Sequence, residues 1–189
     1  MKLILKSSVL TFTFCFLFFI VPIFPNHHHI ANAFPVTIKS QVKGRPLSPT
    51  PIDKIQFNKK QKKELECLTK NMYHESKGEG ELGWLAVGMV TMNRVESKYY
   101  PNKVCDVVYQ NNGKVYQFSW AATKKKLTKP KKELYNEIYQ LAVLVYLYHE
   151  KMQDVTKDAL FFHADYVNPY WSKKMNKTVK IGRHIFYKH

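Results

Sequence analysis

The chain has 189 residues and carries 30 lysines and arginines against 14 aspartates and glutamates, a formal charge of +16. That length allows one domain plus a leader, and the charge selects polyanionic partners: nucleic acid, anionic lipid or an anionic wall polymer. No zinc-finger spacing, RNP1-like aromatic motif or helix-turn-helix signature is present, so nucleic acid is not expected.

The first residues read as an export signal. Lys2 and Lys6 form a basic start, Val9 to Phe24 is almost wholly apolar, and Ala31-Asn32-Ala33 is a small-x-small cleavage site. The apolar run is 16 residues and contains Pro22, short of the ~20 that a spanning helix needs. Residues 1–33 are therefore expected to be removed, with an uncleaved membrane anchor as the alternative. The protein would then act outside the cytoplasmic membrane: secreted, periplasmic or wall-associated. Loss of the leader takes two lysines and no acid, leaving +14 on 156 residues. Cys15 leaves too. Cys67 and Cys105 remain, a pair for which an oxidising compartment predicts a disulfide rather than two free thiols.

Residues 34–58 hold Pro35, Pro46, Pro49 and Pro51 with no sustained period, and read as an extended linker or arm. From 59 to 189 the composition is that of one globular domain. Leu65, Leu68 and Met72 have helical spacing in 60–73. Gly78 and Gly80 interrupt it. Leu82, Leu85, Ala86, Met89, Val90 and Asn93 then predict a second, amphipathic helix. Residues 99–102 form a turn, and 104–109 a strand or short helix. Asn111-Asn112-Gly113 is a tight-turn signal before Gln117-Phe118-Ser119-Trp120. Pro130 can open a third helix over 133–149. The last forty residues are rich in aromatics and turns, with strand character at 160–163 and 183–187. The sum is helix-dominated α+β with a small β element.

Glu75 stands out within Tyr73-His74-Glu75-Ser76-Lys77-Gly78-Glu79. A carboxylic acid crowded by Tyr73, His74 and Trp84 can stay protonated near neutral pH, and such an acid can cleave a glycosidic bond. Glu79 or Glu81 could supply a second carboxylate at the ~5–9.5 Å that direct two-acid chemistry requires. A helix cap is the preferred reading of Glu79.

The motif from Cys67 to Glu79 is followed by four further blocks. These are Gly83-Trp84-Leu85-Ala86-Val87 through Asn93-Arg94-Val95; Tyr100-Pro101-Asn102 with Val104 to Gln110; Gln117-Phe118-Ser119-Trp120; and Pro169-Tyr170-Trp171 with Ile181 to Tyr187. In this order they resemble the spore cortex-lytic, or cell wall hydrolase, family across residues 64–189. The resemblance implies a lysozyme- and lytic-transglycosylase-like fold, peptidoglycan as substrate, and Glu75 as catalytic acid. The family's usual Glu-Ala-Arg-Gly-Glu is here Glu75-Ser76-Lys77-Gly78-Glu79, so a bidentate arginine is replaced by lysine. Candidate substrate contacts are Tyr73 and Ser76 beside the acid; Gln117, Ser119 and Trp120 along a groove; and His163, Trp171 and His184 in a tail that could close the site with Tyr166. Trp120 fits groove and core equally, and Phe118 fits core. Cys67, Cys105 and Glu79 are structural candidates. No metal or cofactor is expected, and a monomer is.

Without a second carboxylate, the 6-hydroxyl of N-acetylmuramic acid can attack its own anomeric carbon, with Glu75 serving as acid and then base to give a 1,6-anhydro product. Muramidase hydrolysis with water is the alternative. Two further readings compete. A zinc amidase would draw on His74, His149, His163 and His184 with Asp165 or Glu75, but His-Glu-x-x-His spacing is missing. A non-catalytic wall or polyanion binder would rest on charge and aromatics, leaving Glu75 unexplained.

Overall fold

The computed structural model describes residues 54–122 and 130–189. The predicted leader, most of the Pro-rich arm and the lysine run at 124–126 lie outside the described residues.

Helix α1 (Lys59–Ser76) starts at a reciprocal cap. Asn58 Oδ1 accepts from the Gln61 backbone N–H at 2.9 Å, and Gln61 Oε1 accepts from the Asn58 N–H at 3.0 Å. Two of the helix's free N–H groups are thereby satisfied. Its apolar stripe, Leu65, Leu68 and Met72, is fully buried. The chain turns through Gly78 and Gly80 (φ +71°) into α2 (Gly80–Glu96).

Helix α2 departs from expectation. Every residue from Gly83 to Met92 is buried, so it is an enclosed helix with no polar face over that stretch. The predicted amphipathic spacing is real, but the intervening Val87, Gly88 and Met92 are also covered. A Cβ at Gly88 would meet Met72 Sδ at 3.2 Å and Val145 Cγ1 at 3.4 Å, a measure of how closely α1 and the later helix that carries Val145 clasp α2.

Residues 104–109 resolve as helix: α3 (Val104–Val108) packs its valines inward. Cys67 and Cys105 form a disulfide, with Cα atoms 5.2 Å apart, that clips α3 onto α1. Beside it the Cys105 N–H donates to Glu64 Oε2 at 3.0 Å. The Asn-Asn-Gly signal forms a tight turn with Gly113 at φ +85° and a single bridge, Asn111 to Tyr116. A 3-10 turn follows over Ser119–Ala122. Helix α4 (Lys132–Tyr148) buries Ile138, Leu141, Ala142 and Val145.

The C-terminal part builds a three-stranded antiparallel sheet in the order β1-β3-β2. Its strands are β1 (Phe161–Ala164), β2 (Asn176–Ile181) and β3 (His184–Lys188). Phe162 pairs with Phe186, and Ile181 with His184. Strand β2 was not anticipated, because Asn-Lys-Thr-Val-Lys-Ile is mostly polar and a register shift between Lys177 and Val179 breaks its alternation. Exposed lysine is a usual protection for an edge strand.

The core has two parts that share α2. Leu85, Met89 and Met92 join α1, α3 and α4, while Ala86 and Val90 meet Ile181, Phe186 and Ala159 beside the sheet. Among the described residues no helix is long and apolar enough to cross a membrane.

Candidate active site

Glu75 lies in the last turn of α1. Burial lifts its carboxyl from 4.5 to about 7, and the Arg94 guanidinium opposes that rise. Among the described residues, none hydrogen-bonds the Glu75 side chain and no second carboxylate perturbs it. The group is therefore an acid that can hold or release its proton near neutrality.

Arg94, in the last turn of α2, is the site's buried cation, 4% exposed. Its Nε–H donates to the Leu160 carbonyl at 2.8 Å. Three rings surround the guanidinium, those of Phe118 at 5.0 Å, Tyr100 at 5.2 Å and Phe161 at 6.0 Å. Burial works against its charge, while Tyr100 and Glu75 support it. Sequence reasoning gave Arg94 no role. The signal available was a lone arginine in an otherwise apolar helix, since a buried cation demands partners.

Trp120 is fixed by a chain of buried hydrogen bonds that was equally unforeseen. Its Nε1–H donates to Asn71 Oδ1 at 3.0 Å. Asn71 Nδ2–H donates to Thr91 Oγ1 at 3.1 Å, and the Thr91 hydroxyl donates to the Val87 carbonyl at 2.8 Å. Asn71 is one helical turn before Glu75, so the same face of α1 carries the acid and anchors the indole. The Trp120 ring stacks on His74 at 4.7 Å and meets Tyr109 edge-on at 5.8 Å. It is half-buried, packed on the core at one side and open at the other. Gln117 and Ser119 are exposed, and Phe118 is core at 2%. Gln117 also lines an open cavity of about 510 Å³ with Tyr99, Tyr100, Gln110 and His189.

Two predicted substrate contacts prove internal. Tyr73 is 5% exposed and packs on Tyr135, and its hydroxyl accepts from the Lys131 N–H at 3.2 Å. Two positions from Glu75 along a helix, it faces α4. Ser76 is 1% exposed and donates back to the Met72 carbonyl at 2.7 Å. Trp84, at 7% exposed, sits in the helical core. Lys77, where the family usually has arginine, is exposed and lies over the Tyr73 ring at 5.3 Å.

Glu79 does not cap α2 with its side chain. It occupies the N-cap position, but its carboxylate reaches across to the β2–β3 turn. There it accepts from the Arg183 N–H at 2.8 Å and from Arg183 Nε–H at 3.0 Å. Burial would raise Glu79, but these donors outweigh it and hold the carboxyl below its ordinary value. The turn is shaped for this contact: Gly182 has φ +55°, and a Cβ there would lie 2.3 Å from Glu79 Oε2.

The aromatic tail divides across the sheet. His163 bonds to the Ala164 carbonyl and the Tyr187 hydroxyl, both at 2.9 Å, and meets Trp171 edge-on at 5.5 Å. Trp171 also packs on Phe161 and Tyr187. This group touches the site through Phe161, one wall of the Arg94 cage. His184 is on the opposite face, 7% exposed against Phe162. Burial lowers its pKa, with the Glu79 charge opposing. Tyr166 is 77% exposed.

Nor do the histidines of the zinc reading converge. His74 stacks on Trp120, His163 and His184 lie on opposite sheet faces, and His149 follows the end of α4. Among the described residues, the group of three side chains close enough to share a metal ion is Glu96, His149 and Glu150, on the surface.

Known proteins resemble this chain in sequence and in fold. Residues 78–187 match the family model described as Cell Wall Hydrolase, a span that begins just after Glu75. The spore cortex-lytic enzyme of Bacillus cereus is 32% identical over 126 residues, 66% of this chain and 44% of that protein, so the chain spans less than half the length of that relative. Among solved structures, the catalytic domain of the germination-specific lytic transglycosylase SleB from Bacillus anthracis aligns with a TM-score of 0.53 at 28% identity. That alignment covers 70% of this chain and all of that domain. The catalytic domain of Bacillus cereus SleB gives the same TM-score at 27% identity, covering 70% of this chain and 94% of that one. With its helix-dominated fold and the family model matching more than half its length, the chain belongs to the cell wall hydrolase family.

Proposed function

We propose that this domain is a lytic transglycosylase that cuts the glycan strand of peptidoglycan between N-acetylmuramic acid and N-acetylglucosamine. The observation that carries the reading is Glu75, a half-buried acid whose carboxyl is raised by burial to about 7 with no second carboxylate acting on it among the described residues. Glu79, the motif's other acid, is committed to Arg183. One acid near neutrality suits a mechanism in which the same group works twice.

In the first step Glu75 gives its proton to the glycosidic oxygen. The bond from that oxygen to the muramic acid anomeric carbon breaks, and N-acetylglucosamine leaves with a free 4-hydroxyl. Positive charge develops on the muramic acid ring. In the second step the Glu75 carboxylate takes the proton of the muramic acid 6-hydroxyl as its oxygen bonds to the anomeric carbon. The acid is restored, a 1,6-anhydro ring closes, and no water is consumed. Arg94 supports the carboxylate between the two steps. Trp120 offers a sugar platform, and Gln117 and Ser119 offer polar contacts.

We infer that residues 1–33 serve as a secretion signal and 34–58 as a Pro-rich linker or arm, so that the domain works outside the cytoplasmic membrane. The basic surface holds it, as a monomer, near anionic wall polymer. Mass spectrometry of muropeptides released from purified sacculi tests the chemistry. Anhydro-muropeptides, lighter by one water than hydrolysed products and missing with Glu75→Gln, are expected. Reducing-end products would replace the reading with muramidase hydrolysis. Salt-sensitive binding without release would replace it with a binder.

A further inference from the structure

The structure assigns a divalent-metal site, outside the catalytic machinery, to Glu96, His149 and Glu150, with zinc(II) as the ion it would take. One ligand atom from each residue lies within 4.8 Å of the others. Glu96 is the last residue of α2, and His149 and Glu150 follow the end of α4. The ion would therefore join these two helices at their C-terminal ends. None of the three residues takes part in the chemistry proposed for Glu75, so the inference stands apart from the glycan reading.

Three observations point to a cation. First, the imidazole is oriented as a ligand. Its Nδ1 lies 3.2 Å from the Val145 carbonyl, which can only accept, so Nδ1 carries the hydrogen. Nε2 then faces Glu96 Oε1, and in the neutral ring Nε2 is a lone pair. Two acceptors turned toward each other need positive charge between them, a proton on the ring or a metal ion. A metal-bound histidine characteristically gives its other N–H to a backbone carbonyl in this way. The His149 side chain is 13% exposed and that of Glu96 47%. Packing thus fixes the ring, while the carboxylate is free to close on an ion and water can complete the coordination.

Second, the acids are placed against the helix dipoles. A helix C-terminus carries partial negative charge and favours cations, yet α2 ends on Glu96 and α4 is followed by Glu150. Third, a strongly basic chain leaves them to the histidine. Among the described residues, lysine or arginine pairs with Glu66, Glu79, Asp106, Asp158 and Asp165, whereas the ion pair of Glu96 is with His149. One imidazole and two carboxylates with an open position suit zinc(II), while calcium takes about six to eight oxygen ligands. Bound here, zinc ties the end of α2, two residues after Arg94, to α4. It acts on stability, not on turnover.

The test is zinc titration of the full chain, followed by calorimetry and by thermal melting. The protein is made without a histidine tag. His27, His28 and His29 are replaced by serine in parent and variants alike, because that run would bind metal by itself. Glu96→Gln and Glu150→Gln change exposed side chains and keep the fold, and His149→Gln removes the ring nitrogen. The expected result is one zinc per chain, a melting temperature raised by zinc and returned by EDTA, and affinity at least about tenfold weaker in each variant. Cobalt(II) in place of zinc should give a visible ligand-field absorption that His149→Gln abolishes, a signature that lost packing alone would not move. Zinc bound equally by parent and all three variants, or not bound by the parent, would overturn the site and leave His149 and Glu96 as a plain ion pair.

Discussion

Replacing Glu75 with glutamine should stabilise the protein at alkaline pH while removing its chemistry. Burial moves this carboxyl from 4.5 to about 7. The unfolded chain releases the proton near the ordinary value, whereas the folded chain keeps it until about 7. Between those values the native state binds more protons than the unfolded state, so raising the pH erodes stability. The loss is absent below about 4.5, grows through the interval and is complete above about 7. Each tenfold change in proton affinity is worth ~1.4 kcal/mol, so the full loss is about 3 kcal/mol. Glutamine has the same shape and does not ionise. For a domain of this size the difference corresponds to roughly 10 °C in Tm. Thermal melts of both proteins at intervals between pH 4 and pH 9 provide the assay. The curves should lie close together at the acid end and separate through neutrality, with the glutamine variant higher. Parallel curves, or a wild type that gains on the variant as pH rises, would refute the burial argument and the assignment of Glu75 as the protonated acid.

The same proton governs rate. In the proposed mechanism cleavage needs protonated Glu75, so kcat/KM should fall as pH rises through about 7; a profile flat to pH 9 contradicts the role. Glu79→Gln should cost about 1–2 kcal/mol in urea denaturation by weakening the bond to Arg183. Because the Glu79 carboxyl is held low, its contribution is present above the ordinary carboxylate range and fades as pH falls below it, so wild type and variant should converge in acid. The Cys67–Cys105 disulfide closes a separation of 38 residues, and replacing both cysteines with serine should cost about 3–4 kcal/mol by chain-entropy arguments, read from the same denaturation curves. Finally, EDTA should leave muropeptide release unchanged; loss of activity restored by zinc would revive the metal-dependent reading.

Residues whose local chemistry is self-contained are legible in the sequence. Leu65, Leu68 and Met72 announce α1, the glycines at 78 and 80 end it, and Asn111 to Gly113 turn the chain where expected. Glu75 stands out through its motif, but the sequence neighbours expected to enclose it do not all do so: the charge that acts on it comes from Arg94, on the next helix. What escaped was set by partners distant in the chain. Glu79 has the sequence context of a helix cap, but its carboxylate is claimed by Arg183, 104 residues away. Tyr73 and Ser76 flank the acid in sequence, yet helical geometry turns them toward α4 and back along α1. Asn71 and Arg94 passed unnoticed because a polar residue in a helix acquires meaning only through what covers it. Strand β2 was hidden by its position at a sheet edge, where water accepts lysines that a central strand would exclude.

The enclosure of α2 bears on how the domain comes apart. One helix serves both cores, with Leu85, Met89 and Met92 turned to the helices and Ala86 and Val90 to the sheet side. Neither half can loosen without stripping apolar surface from the other, so α2 joins them into one cooperative unit. The backbone amides of α2 are then released to solvent only by global opening, and the helix that supplies Arg94 is among the last parts of the molecule to yield. A domain built this way keeps the Arg94 cage until the whole fold is lost.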